Sequence, residues 1–139
     1  MFLVLDTNEY LFALGSRRAP SSVELLEKIA ANPERFEIRI CRSILNEIRE
    51  NSIPQRFREL WNFLNLLGIT LDEDWDVPFE IVAKYEALGL KQGDAFVAGY
   101  TEYVGAQCLI TENRKDFLAH PGWFPFKVLN AETFLKQFI

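Results

Sequence analysis

At 139 residues the chain has the usual length of one domain, and with 49% apolar residues it can bury a sizeable core, so a single domain over residues 1–139 is expected. A net charge of −5 argues against a protein that coats nucleic acid nonspecifically, because that affinity comes from Lys and Arg neutralising phosphates. It leaves room for a nuclease whose bound cations offset the charge where phosphate sits. No apolar run approaches the roughly 20 residues of a membrane span. Met1 to Asp6 lacks the basic region and cleavage site of a signal peptide, and a soluble cytoplasmic protein is expected.

Taken in order, the chain opens with an apolar strand, Phe2–Asp6, that stops at Asp6-Thr7-Asn8. Ser21–Ala31 has helical spacing, with Val23, Leu26, Ile29 and Ala30 recurring at three and four and Pro33 beyond the end. A second strand, Glu37–Cys41, leads to Ser43 as N-cap of a helix through Ile44, Leu45 and Ile48, with Glu47 one turn in. A helix over Arg56–Leu67 carries Leu60, Phe63, Leu64 and Leu67 on one side and precedes a third strand, Ile69–Asp72. Asp76-Val77-Pro78 opens a helix through Leu88. Asp94 heads and caps a buried helix, Ala95–Val104, which feeds the strand Gln107–Thr111. His120-Pro121-Gly122 reads as a turn before the strand Phe126–Leu129. No repeat or flexible linker interrupts this order. Strands alternating with helices indicate an α/β protein with a parallel sheet covered on both faces.

Cys41 and Cys108 lack the close pairing of a zinc or redox motif and are expected as reduced core residues. Arg35, Arg39, Arg42, Arg49, Arg56 and Arg58 crowd one stretch, and Asp72, Glu73, Asp74 and Asp76 form an acidic patch after it. Each run reads as a solvated face, with a phosphate-contacting flank as the alternative for the arginines. Trp61, Phe63, Trp75, Trp123 and Phe124 are more aromatic surface than a domain of this size is expected to bury, so some should form an interface.

In open parallel sheets ligands bind outside the carboxyl ends of the strands, where this chain puts acidic residues. Asp6 ends the first strand, as a turn or helix cap or as a ligand; Glu47 can point back toward the strand ends; Asp94 can cap with one oxygen and coordinate with the other. Gathered at about 5 Å, with an effective dielectric near 20, each ionised pair repels by roughly 3 kcal/mol, so the cluster needs a cation or takes up protons. Hard oxygen donors suit Mg²⁺ or Mn²⁺ and not zinc or copper. His120 is the sole histidine, so a two-histidine acid–base ribonuclease cannot be assembled in one subunit. No phosphate loop or nucleophile elbow is present. Arg42, Lys91, Arg114 and Lys115 lie beside these positions in sequence, as ordinary surface charge or as contacts to flanking phosphates.

These residues carry a family resemblance. The strand ending in Asp6-Thr7-Asn8, the helical Leu45-Asn46-Glu47-Ile48, the segment Gly93-Asp94-Ala95-Phe96-Val97-Ala98-Gly99, and Leu109-Ile110-Thr111 running into Lys115-Asp116-Phe117 stand in the order of a PIN domain and span nearly the whole chain. The chain is most similar to the small stand-alone toxin-type (VapC-like) PIN ribonucleases. The resemblance implies a three-layer α/β/α sandwich with a central, mostly parallel sheet of four to five strands. It also implies a Mg²⁺ or Mn²⁺ site made by Asp6, Glu47 and Asp94, with Asp116 as a fourth catalytic acid and Thr7, Asn8, Thr111 and Asn113 in support. Where many relatives carry aspartate, two residues after Thr111, this chain has Asn113, and Asp116 is the nearest aspartate to replace it; one ion and two ions both stay open. The implied activity is metal-dependent hydrolysis of RNA, and the implied partners are a second copy in a homodimer and an antitoxin over the active-site groove. A PIN-like RNA-binding or protein-interaction module without turnover, favoured by Asn113, and a nuclease acting on DNA are the alternatives.

Overall fold

The computed structural model describes residues 1–14 and 19–139. Strands β1 (Phe2–Leu5), β2 (Glu37–Cys41), β3 (Thr70–Asp72), β4 (Cys108–Ile110) and β5 (Lys127–Leu129) form one sheet in the order β3-β2-β1-β4-β5. Every pairing is parallel, with Leu3 opposite both Ile38 and Cys108, and Cys41 opposite Asp72. The first strand is therefore the middle one, which explains its composition: Leu3, Val4 and Leu5 are fully buried, as a strand covered on both faces must be.

Helices α1 (Thr7–Leu14), α2 (Pro20–Ala31), α3 (Arg42–Glu50) and α4 (Pro54–Leu66) fall within the β1–β2 and β2–β3 connections. Helices α5 (Phe79–Ala87) and α6 (Gln92–Tyr103) fall within the return from β3 to β4, and α7 (Ala131–Phe138) closes the chain. Right-handed crossovers in opposite directions along the sheet put α1–α4 on one face and α5–α6 on the other, giving three layers. Gly99 lets α6 approach α5 closely, since a Cβ there would meet Val82 Cγ2 at 3.0 Å. No helix among the described residues is long and apolar enough to cross a membrane. Cys41 and Cys108 are free and buried, and burial pushes the Cys41 thiol up to about 11.

Three helix starts differ from the sequence expectation, and for α3 the acceptor comes from outside the local sequence. Helix α3 begins at Arg42, so Ser43 lies in its first turn and does not cap it; the Ser43 N–H donates to Asp74 Oδ1 at 3.0 Å. Asp76 belongs to a short 3₁₀ turn, Asp74–Asp76, and α5 starts after Pro78. Asp94 is the third residue of α6, whose N-cap position is Lys91.

The acidic patch is not a plain solvated face. Asp72 takes a two-pronged ion pair from Arg39 and a 2.6 Å hydrogen bond from the Tyr100 hydroxyl, tying β2, β3 and α6 together. Both donors hold the Asp72 carboxyl below its ordinary range against the opposing effect of its burial. Glu73 pairs with Arg42 at 2.7 Å. Of the aromatic residues, Phe124 is buried and stacks on Tyr85 and Phe126, Trp61, Phe63 and Trp123 are half-buried, and Trp75 is 80% exposed. His120 stands before the 3₁₀ turn Pro121–Trp123 and stacks on Trp123 with ring centres 3.8 Å apart.

Candidate active site

Because the chain runs from β1 outward to β2 and β3, then returns to β4 on the other side of β1, the switch in direction falls between β1 and β4. The two strands stay paired to their ends, and the connections that leave them diverge toward opposite faces, which leaves a crevice at their carboxyl ends. The Asp6 N–H donates to the Ile110 carbonyl at 2.9 Å, which fixes Asp6 at that crevice.

Each Asp6 carboxylate oxygen has a donor: the Thr7 N–H reaches Oδ1 and the Thr111 hydroxyl reaches Oδ2, both at 2.9 Å. The Thr7 hydroxyl donates to Glu47 Oε2 at 3.0 Å, bringing α3 to the same point. Thr7 and Thr111 are buried, so these hydrogen bonds orient the acids with little competition from water. Burial raises the Asp6 pKa; the Thr111 and Thr7 hydrogen bonds counter this, and the Glu47 charge adds to the rise.

The other half is built from α6 and the turn after β4. Asn113 caps the one-turn helix Arg114–Leu118: its N–H donates to Thr111 Oγ1 and its Oδ1 accepts from the Asp116 N–H, both at 3.0 Å. Its amide nitrogen also donates to Asp116 Oδ2 at 3.3 Å. Asn113 thus links Asp6, through Thr111, to Asp116. Asp116 faces Asp94, whose carboxyl is pushed up to about 6 by burial first, then by the charge of Asp116 and a carboxyl–carboxyl contact with it, then by Asp6, with Lys91 opposing.

Asp6, Glu47, Asp94 and Asp116 are therefore brought together as two linked pairs. Among the described residues no three Asp, Glu, His or Cys side chains form a ready-made metal cage. The donor set still fits Mg²⁺ or Mn²⁺, since all donors are hard oxygens and Mg²⁺ keeps several waters while using one or two carboxylates plus substrate phosphate. The elevated pKa of Asp94 marks a spot where positive charge is wanted.

The remaining expected residues are more dispersed. Asn8 is exposed on α1, and Arg42 is engaged by Glu73. Lys91 acts on Asp94 electrostatically, while Arg114 and Lys115 are exposed in the turn that carries Asp116.

Sequence reasoning missed Glu9 and Glu112. Glu9 is fully buried on α1 and accepts from the Ser22 hydroxyl at 2.8 Å through Oε2. Its Oε1 has no partner within hydrogen-bond geometry, yet it lies close enough to Glu112 for the two acids to interact strongly. Burial first, then Glu112, pushes Glu9 up to about 9, while the Ser22 hydroxyl pulls it down. Glu112 Oε2 meanwhile accepts from the Ala131 N–H at the start of α7. A helix read from Thr7 onward would have exposed the signal, because Glu9 and Ala13 then share a face at i and i+4.

No family model matches the chain, and no curated protein matches it. Solved structures share its fold. VapBC2 from Rickettsia felis, bound to a DNA fragment from its promoter, matches at 23% identity and TM-score 0.64, over 94% of this chain and 98% of that one. FitAcB from Neisseria gonorrhoeae matches at 15% identity and TM-score 0.62 over the same shares. FitAB bound to the IR36 DNA fragment matches at 15% identity and TM-score 0.63, over 93% of this chain and 94% of that one.

Proposed function

We propose that this chain is an endoribonuclease that uses Mg²⁺ or Mn²⁺ to hydrolyse RNA phosphodiester bonds, as the toxin of a toxin–antitoxin pair. The observation that carries the reading is the gathering of Asp6, Glu47, Asp94 and Asp116 at the switch point, with the Asp94 charge so disfavoured that its pKa reaches about 6. The PIN-like motif order and the fold held in common with chains of VapBC2 and FitAB support it.

A divalent ion would be held by Asp6, Glu47 and Asp94 and would supply charge stabilisation at the phosphoryl oxygens. Thr7 and Thr111 keep the Asp6 oxygens in one orientation, so little reorganisation is needed when phosphate arrives. Asp94 and Glu47 would also orient the attacking water beside the ion. Lys91, Arg114, Lys115 and Arg42 contact flanking phosphates, Arg42 by exchanging Glu73 for them. The fold neighbours are assemblies, which supports an antitoxin partner here. A homodimer would cover exposed apolar side chains such as Trp75, and sedimentation at micromolar concentration checks it.

The test is cleavage of single-stranded and structured RNAs, with single-stranded DNA alongside, in Mg²⁺, Mn²⁺ or EDTA. Wild type should cut RNA only with metal, and Asp94→Asn should lose more than about 100-fold, beyond the 10–100-fold typical of outer-sphere partners. Folded wild type that cuts nothing sinks the reading. A binding module, favoured by Asn113 where many relatives carry aspartate, then takes its place.

A further inference from the structure

A groove of about 540 Å³ runs outward from Glu47 between α3 and the α5–α6 pair. Its volume lies within the roughly 300–1,000 Å³ of small-ligand clefts. Glu47 and Gly93, the neighbour of Asp94, form the end of the groove nearest the carboxylates. A polymer with one phosphate over the carboxylates must therefore carry its next unit past this opening.

The walls are apolar and aromatic. Phe79 stands at the groove with 75% of its surface exposed, while Phe96 and Val82 line the groove with it. Among the described lining residues every ionisable side chain is a carboxylate: Glu47, Asp74 and Glu86. Beyond Glu47, whose charge the ion would offset, Asp74 and Glu86 repel phosphate, so the backbone stays outside. A flat, uncharged heterocycle with N–H donors on its edge is complementary to this lining, since carboxylates accept from base amino groups and aromatic side chains stack on base faces.

We propose that this groove takes one unpaired, amino-bearing nucleobase next to the phosphate to be cut, stacked on Phe79 and read by Glu86; the assignment rests on the ribonuclease reading above. Uracil is the disfavoured base, because its two carbonyl oxygens flank its one imino N–H and face the carboxylates.

The experiment uses a single-stranded RNA oligonucleotide carrying 2-aminopurine, bound to the full chain bearing Asp94→Asn in Mg²⁺. Binding should quench the 2-aminopurine fluorescence, and adding Phe79→Ala should abolish the quench and weaken binding about tenfold, in the range of one lost base–aromatic stack. Circular dichroism confirms that the variant folds. In a randomised RNA library, wild type should cut phosphates flanked by uridine about tenfold less often, and Glu86→Gln should relax that preference. Cleavage without base preference, together with unchanged binding by the Phe79→Ala protein, overturns the base slot and leaves the ribonuclease reading standing. A wild type without cleavage but with a Phe79-dependent quench supports the slot while the hydrolytic reading fails.

Discussion

Asp94 lies in the first turn of α6, facing Asp116 and in the field of Asp6, and ionising it costs the folded chain more than the unfolded one. An acid whose folded pKa is raised contributes stability that is full below its unfolded pKa and lost as pH rises through the folded value. For Asp94 that window runs from about 4 to about 6. Without divalent metal, Asp94→Asn should therefore melt higher than wild type at neutral pH, and the difference should vanish in acid. Saturating Mg²⁺ should reverse the order, because only wild type gains binding energy from the ion. Calorimetry across pH with and without Mg²⁺ measures this, and a wild type that melts no lower than the variant at neutral pH without metal would show the repulsion to be absent. Thr7 and Thr111 act on the same scale: Thr7 gives its N–H to Asp6 and its hydroxyl to Glu47, Thr111 gives its hydroxyl to Asp6, and nothing in their local sequence separates them from ordinary surface threonines. Their burial at the switch point makes them orienting groups.

Helix α1 is the element where sequence reading stopped short. The strands are legible because a central strand such as Leu3-Val4-Leu5 is uniformly apolar, and four of the site acids are legible because they follow strands or lie in helices next to them. Helix α3 was misjudged by its first residues because its cap, Asp74, sits 31 positions away in the chain. Helix α1 begins at once after Asp6, with no flanking turn residue, and its 8 described residues show a faint periodicity. Glu9 consequently had no face assigned, and the contact that joins α1 to the end of β4 and the start of α7 was invisible. That contact predicts a pH effect of its own. Glu9 has a folded pKa near 9, so the stability it contributes is full below about 4.5 and is lost as pH rises through 9. Glu9→Gln, which cannot ionise but can still donate to Glu112, should gain on wild type steadily across that range. Glu9→Ala, which leaves Ser22 without its acceptor, should cost on the order of 2 kcal/mol relative to Gln. Urea unfolding at several pH values separates the two variants, and parallel pH profiles for wild type and Gln would contradict the buried proton.

On the scale of the whole molecule, a net charge of −5 means that the proposed RNA substrate would be met by a few cations near the crevice and not by a basic surface. The salt dependence follows. If Lys91, Arg114 and Lys115 each neutralise a phosphate while Arg42 stays with Glu73, the logarithm of affinity should fall with the logarithm of salt at a slope of about −2. Recruitment of Arg42 steepens it to about −3, and Lys115→Ala should flatten it by about 0.7. Filter binding over a salt series gives the slope, and a value near −6 would mean that the arginine run from Arg35 to Arg58 is engaged instead. The order β3-β2-β1-β4-β5 has a further consequence for how the molecule can be taken apart. Gly68, in a left-handed conformation just after α4, separates a stretch holding Asp6 and Glu47 from one holding Asp94 and Asp116. Cut there, the first fragment keeps β1 and β2, two of the three inner strands, and the second keeps β3 for one flank and β4–β5 for the other, with no pairing between β3 and β4–β5. Neither piece owns a complete set of acids, and the second cannot close its strands without the first as a template. Any activity recovered by two separately expressed pieces would therefore report that they have met.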